Sequence, residues 1–281
     1  MDYMGKAMIF DTHAHYDDDW FDEDRDELLR GLSANAIDTV VNVGASMEGS
    51  RASVELSVKY PFVYAAVGVH PDYAQQMTEA DIKELKELSR HDKVVAIGEI
   101  GFDYGHEEDL TEAEREAKRS AQKYWFKRQL ALACEVSLPV IIHSRGADGD
   151  TLSVMREWAE EVSKKPGFRG GIIHCFSGSP EIAEEYRKLG FHIGVGGVLT
   201  FKNARRLPDV VAAVPLSQIV LETDCPYLAP VPHRGERNDS SRLRYVVAKI
   251  AEIKGISEEE VIRVTAGNAR QLFGISGEKQ E

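Results

Sequence analysis

Eight short, almost wholly apolar runs are the feature that most restricts this chain. They lie at residues 7–10, 39–43, 62–69, 94–98, 139–142, 171–173, 191–195 and 219–221. Stretches of helical period follow them at 22–36, 50–59, 78–90, 112–136, 152–162, 180–189 and 203–214, the last interrupted at Pro208. Two further helical stretches, 241–254 and 258–273, close the chain. Strands that are apolar on both sides belong in a parallel sheet covered on both faces. Eight strand–helix units predict an α/β fold of the (β/α)8 TIM-barrel type, which typically needs about 250 residues. No linker or composition shift divides the 281 residues. One domain over 1–281 is expected, with its core at about 8–273.

Bulk properties exclude several functions. No apolar run approaches the roughly 20 residues of a membrane-spanning helix, so no membrane role is expected. The first six residues lack a basic head and an apolar stretch, so a signal peptide is not expected. Cys134, Cys175 and Cys225 are odd in number and contain no C-x-x-C, which excludes a zinc ribbon and a disulfide framework and fits a reducing cytoplasm. A net charge of −13 argues against a protein that coats nucleic acid. It leaves room for an enzyme that grips a strand end in a metal-lined pit. A monomer is the working expectation.

The strand ends carry the chemistry. The first run leads into Asp11-Thr12-His13-Ala14-His15, and alternate residues of an extended segment face the same way, about 7 Å apart. Two imidazoles so placed can converge on one cation through bonds of about 2.1 Å. Glu99, His143, His174 and Asp224 stand at four later strand ends, and a barrel opens all those ends onto one face. Six such ligands are too many for a single ion that must also hold water and substrate. Two cations about 3.5–4 Å apart can use all six, with Glu99 as the natural bridge.

Other groups line the same rim. His70, before Pro71, is a candidate substrate contact, and Glu222, in phase with Asp224, is a candidate supporting or packing residue. Arg145, His233 and Arg234 are candidate phosphate contacts, because a guanidinium fork matches phosphate oxygens. Tyr16, Phe102, Tyr104, Phe176 and Tyr227 follow strand ends and could stack bases, although packing is the favoured reading of each. Cys175 and Cys225 read as small buried hydrophobes, and His91, His106 and His192 as solvated or core residues.

Together these motifs resemble the TatD-type metal-dependent deoxyribonucleases of the amidohydrolase-like barrel superfamily. The resemblance runs from about residue 8 to 273. It is carried by Asp11-Thr12-His13-Ala14-His15, Gly68-Val69-His70-Pro71, Gly98-Glu99-Ile100-Gly101-Phe102-Asp103-Tyr104 and His143-Ser144-Arg145. Further matches are His174-Cys175-Phe176-Ser177-Gly178, Glu222-Thr223-Asp224-Cys225-Pro226-Tyr227-Leu228, Pro232-His233-Arg234-Gly235 and Asn268-Ala269-Arg270-Gln271-Leu272-Phe273. Gly146 departs from the family's usual Asp, and 238–240 lacks an expected Pro. Both departures concern rim loops and so bear on substrate choice.

The resemblance implies two divalent ions (Mg, Mn or Zn) on His13, His15, Glu99, His143, His174 and Asp224, the set that spacing also selects. It implies hydrolysis of DNA phosphodiesters; Asp224, as ligand and neighbour of the attacking water, is expected to take its proton. Weak phosphate grip and an acidic surface point to an exonuclease on single-stranded DNA, and the resemblance implies 3′-5′ polarity, on single strands or frayed 3′ ends. Two alternatives stand beside this reading: a D-aminoacyl-tRNA deacylase on the same metal platform, and a non-catalytic metal-binding partner protein.

Overall fold

The computed structural model describes residues 7–105, 107–162 and 170–275. The expectations for residues 1–6, His106 and the tail beyond 275 lie outside these. The strands are β1 (Ile9–Ala14), β2 (Ile37–Val43), β3 (Val63–Val67), β4 (Val94–Asp103), β5 (Val140–Arg145), β6 (Gly171–Ile173), β7 (Phe191–Val195) and β8 (Ile219–Leu221). The helices are α1 (Arg25–Gly31), α2 (Met47–Lys59), α3 (Glu79–Leu88), α4 (Glu112–Val136), α5 (Asp148–Val162), α6 (Pro180–Lys188), α7 (Leu207–Ala213), α8 (Leu243–Lys254) and α9 (Glu258–Phe273). The strands follow one another in chain order in one sheet, and each pair with a recorded register is parallel. This is the (β/α)8 barrel. Among the described residues no helix is long and apolar enough to cross a membrane.

Several bounds shift by a few residues, and three elements differ in ways the sequence explains. The stretch 22–36 is not one helix: a 3-10 turn at Asp19–Phe21 precedes α1, and another at Leu32–Asn35 ends on Ala36 in the left-handed region. Asp24 offers no side-chain cap and Gly31 weakens the last turn, so the helix is short. The expected fourth strand doubles in length, because Gly98 and Gly101 permit close strand packing instead of ending the strand. A Cβ on Gly98 would lie 2.6 Å from the Cβ of Ile141, and one on Gly101 would collide with the carbonyl oxygen of His143. Pro208 sits in the first turn of α7, where its missing N–H costs nothing, so it starts the helix and does not interrupt one.

By packing, the chain divides into two compact units. The first comprises Met1–Asn42, Cys175–Glu185 and His192–Glu281. In it α9 lies against β1 and β8: Phe273 stacks on Phe10 with centroids 5.9 Å apart, and Ala269 and Leu272 are buried. The Asn268 amide donates to the carbonyls of Leu216 and Ile219 (2.9 and 2.8 Å) at the start of β8. Arg270 pairs with Asp38 of β2 at 2.5 Å. The closing motif therefore works as a fastening.

The second unit comprises Val43–His174 and Tyr186–Phe191. Its long helix α4 starts on a capping box, Thr111 with Glu114, and packs over β4. Two buried glutamines of α4 satisfy backbone groups that no neighbouring strand reaches. Gln129 accepts from the Val69 N–H (2.8 Å) and donates to the Val69 carbonyl (3.1 Å). Gln122 does the same for Asp103, at 3.2 and 3.0 Å.

Gly101 has φ +152°, which L side chains rarely adopt. Gly101→Ala is expected to cost about 1–3 kcal/mol of strain, read as a lowered urea midpoint of the metal-free protein. A midpoint equal to the parent's would show that β4 and β5 can part without cost.

Candidate metal centre

In the first unit β1 carries His13 within the strand and His15 just past its end, so their rings share a face. Their Nε2 atoms are 3.1 Å apart. Asp224 lies three residues beyond β8 in a left-handed turn (φ +58°), a conformation that Asp tolerates better than most residues. Its N–H donates to the His13 carbonyl at 2.9 Å. Its Oδ1 then stands 3.4 Å from His15 Nε2 and 3.8 Å from His13 Nε2. Bonds of about 2.1 Å place two donors of a tetrahedral cation about 3.4 Å apart. The triangle of 3.1, 3.4 and 3.8 Å brackets that spacing, and its donors are two borderline nitrogens and one hard oxygen. These three residues fit a divalent ion.

Asp11 lies beneath this triangle and is fully buried. Its Oδ1 accepts from the N–H groups of His13 and Thr223 (3.2 and 3.0 Å). Its Oδ2 accepts from the hydroxyls of Thr223 and Ser240, both at 2.7 Å. Burial pushes its carboxyl up to about 7 against these four hydrogen bonds. Asp11 thus ties β1 to the turn that presents Asp224, and sequence reading missed it. A clue was available: Asp11 is in phase with His13 and His15 and polar in an apolar strand. Glu222 is buried too, and its Oε1 accepts from the Cys175 N–H at 2.6 Å. A side chain on Gly194 would collide with the Glu222 carboxylate.

In the second unit Glu99 Oε1 gathers three imidazoles. His143 Nδ1 is 2.6 Å away, His174 Nε2 3.8 Å and His70 Nε2 3.9 Å. The ligating atoms of His70, Glu99 and His143 lie within 4.8 Å of one another, close enough to share an ion. Backbone hydrogen bonds set these residues: Glu99 N–H donates to Gly44 (3.2 Å) and His174 N–H to Ile142 (2.9 Å).

The other ring nitrogen of His143, Nε2, faces Asp103 Oδ2 at 2.9 Å. Burial pushes the imidazolium down, but the Glu99 and Asp103 carboxylates outweigh it and hold His143 at about 10. Burial raises the Asp103 carboxyl, but His143 and the Gly105 N–H outweigh it and hold the group at about 2. A proton on His143 therefore supplies positive charge in the metal-free protein. A cation held by Glu99 and His143 would replace that proton, and the two groups would then part from their present hydrogen-bond separation of 2.6 Å. Asp103 was absent from the predicted set because the strand was expected to end at Gly98. Period-two phase from Glu99 would have found it.

The expected rim contacts fall in various places. His70 begins a 3-10 turn, its Nδ1 accepting from the Asp72 N–H at 3.2 Å, and burial pushes its imidazolium down. Arg145 is the exposed last residue of β5, with its guanidinium against Gly105. Both ring nitrogens of His233 are engaged, with Glu236 and with the Tyr245 hydroxyl, each at 3.0 Å. The guanidinium of Arg234 lies 4.0 Å from the centre of the Phe201 ring. Tyr16, Phe102, Phe176 and Cys225 are buried, as packing residues are; Tyr104 and Cys175, expected to be buried, are half-buried, and Tyr227 is exposed.

Histidine–carboxylate donor sets at the strand ends of a (β/α)8 barrel are the mark of a metal-dependent hydrolase. The chain belongs to the TatD family: the profile described as TatD related DNase matches residues 10–274. A metal-dependent hydrolase of Bacillus subtilis, YabD, is 42% identical over 96% of this chain and 100% of its own length. A Klebsiella pneumoniae protein named 3'-5' ssDNA/RNA exonuclease TatD is 30% identical over 95% of this chain and 98% of its own. Among solved structures, Escherichia coli YjjV, a TatD homologue, superposes with a TM-score of 0.85 at 29% identity, covering 96% of this chain and 99% of that one.

Asp11→Ala strands two backbone N–H groups and two hydroxyls in the interior. Each buried donor without an acceptor costs about 1–3 kcal/mol, so the metal-free protein should lose at least about 3 kcal/mol in a urea titration. Asp11→Asn should retain most of the stability, because the amide oxygen serves the N–H pair and the hydroxyls can turn to accept. Equal losses in the two variants would contradict this account of the clamp.

Proposed function

We propose that the protein is a nuclease that removes nucleotides from the 3′ end of single-stranded DNA. In this reading it uses one divalent cation (Mg, Mn or Zn) on the donor set of each unit. His13, His15 and Asp224 form one set, and Glu99, His143 and His174 the other. The observation that carries the reading is the His13–His15–Asp224 triangle, whose edges suit a divalent ion. Support for the substrate comes from the Klebsiella relative, whose name specifies single-stranded DNA and RNA. The net charge of −13 disfavours long duplex tracts.

Bound divalent ions supply Lewis acidity and positive charge against phosphate oxygens. The chain's own groups do the rest. Asp224, part-exposed at 19% and fixed by its backbone bond to His13, accepts the proton of the attacking water. Asp11 and Thr223 keep that carboxylate in place. Arg145, exposed at the end of β5, takes phosphate oxygens in its fork. His70 contacts the substrate from beside Glu99. His233 and Arg234 join only by giving up Glu236, Tyr245 and Phe201. The three cysteines form no disulfide, and we take the reducing cytoplasm as the place of action.

The test is a 5′-labelled single-stranded oligomer with Mg²⁺ or Mn²⁺, for which a ladder shortening one nucleotide at a time is expected. Mid-length fragments, or cleavage of a D-aminoacyl-tRNA with the oligomer left intact, would overturn the reading. Asp224→Asn should slow hydrolysis by about 10²–10⁴-fold, the usual worth of a general base, with far-UV circular dichroism unchanged. A rate above a tenth of the parent's would remove Asp224 from that role. Chelation should abolish activity and leave the dichroism in place, since the strands pack without the ions. Collapse of the fold on chelation would assign the ions a structural role.

A further inference from the structure

We propose that Trp20 and Tyr227 form a stacking platform for an unpaired nucleobase beside the His13–His15–Asp224 donors. The proposal deepens the nuclease reading and rests on it. Both rings are unusually exposed for their size, Trp20 at 59% and Tyr227 at 48%. Single exposed apolar residues need no explanation, but these two stand together, with centroids 6.2 Å apart and planes tilted by 43°. The two residues come from loops far apart in sequence, one following β1 and the other β8.

One carboxylate ties the pair together. Asp18 Oδ1 accepts from the Trp20 N–H at 2.9 Å, and Asp18 Oδ2 accepts from the Tyr227 hydroxyl at 2.7 Å. Arg237 fixes the other side, donating to the Trp20 carbonyl at 2.6 Å while it pairs with Asp24 and lies over the buried Phe21 ring. The backbone under the Trp20 ring is therefore held while the ring itself stands in water. The Tyr227 ring, tethered through its hydroxyl, loses little freedom when a ligand stacks on it.

The platform is also linked to the donors. The Asp18 N–H donates to the His15 carbonyl at 3.1 Å, and the Tyr227 N–H donates to the Asp224 carbonyl at 2.9 Å. Each support is one turn from a donor residue, a span of about 7 Å between the Cα atoms of a turn. A phosphate held at the donors thus leaves a base of the same strand within reach of the rings. Duplex bases are already stacked on one another, so only an unpaired base can use the platform. Aromatic stacking accepts any base, and it gives the acidic chain affinity for a strand without many phosphate contacts.

The experiment uses the metal-loaded protein and 5′-labelled single-stranded oligomers of DNA and of RNA, each with normal or abasic 3′-terminal nucleotides. Stacking one base on an aromatic ring is worth about 5- to 150-fold in binding. Trp20→Leu and Tyr227→Leu should raise KM by such a factor on normal ends with kcat unchanged, and should leave KM on abasic ends at the parent's value. Tyr227→Phe, which keeps the ring, should stay near the parent. The nucleic acid with the higher kcat/KM in the parent identifies the strand that supplies the base. An unchanged KM on normal ends, or an equal rise on abasic ones, overturns the platform and leaves the nuclease reading standing. If the parent cleaves neither oligomer, the nuclease reading falls. Tryptophan fluorescence of the protein with chelator then decides the platform: quenching by oligomer that disappears in Trp20→Leu supports it, and no Trp20-dependent quenching overturns it.

Discussion

Carboxylates and imidazoles taken out of water are costly unless each charge meets an opposite one, and the rest of this structure is arranged around that constraint. In the second unit Glu99 and Asp103 are buried within hydrogen-bond reach of the same imidazole, and a proton on His143 satisfies both. The same pair of negative groups is an attractive place for a cation. In the first unit two imidazoles and a carboxylate converge with an ion's spacing. These groups of imidazoles and carboxylates suit the metal-dependent chemistry of the family.

Holding such groups in place requires polar support that packing alone does not provide. Asp11 receives four donors, from β1, from the turn after β8 and from Ser240, so three separate stretches of chain are locked at one carboxylate. Gln122 and Gln129 perform the corresponding task from α4, pairing with the backbone at Asp103 and Val69. Replacing Asp11 would loosen the turn that presents Asp224 without touching Asp224 itself.

Much of this was legible in the sequence, and the rest was hidden for definable reasons. The bounds read for β6, β7, β8, α4 and α9 coincide with those observed, because in each the apolar period and the flanking residues agree. The six candidate ligands were chosen as residues at strand ends; three of them come together in each unit, although Glu99 lies inside β4 and His13 inside β1. Asp103 was missed because Gly98 read as a strand end, whereas in the fold Gly98 and Gly101 give room to Ile141 and His143. The partners of Asp11 were beyond reach, since Ser240 is 229 residues away and no local pattern announces such a contact. Phosphate roles for His233 and Arg234 looked natural from the loop's charge, but the structure shows both engaged within that neighbourhood.

The central claim is that each unit contributes its own donor set. It is tested most directly by counting metal in the dialysed protein, at a pH where free imidazole is neutral, by elemental analysis of the parent, His15→Ala and His174→Ala. The account predicts two divalent ions per chain in the parent and one in each variant. Fewer than one ion in the parent, or two retained in either variant, would contradict it.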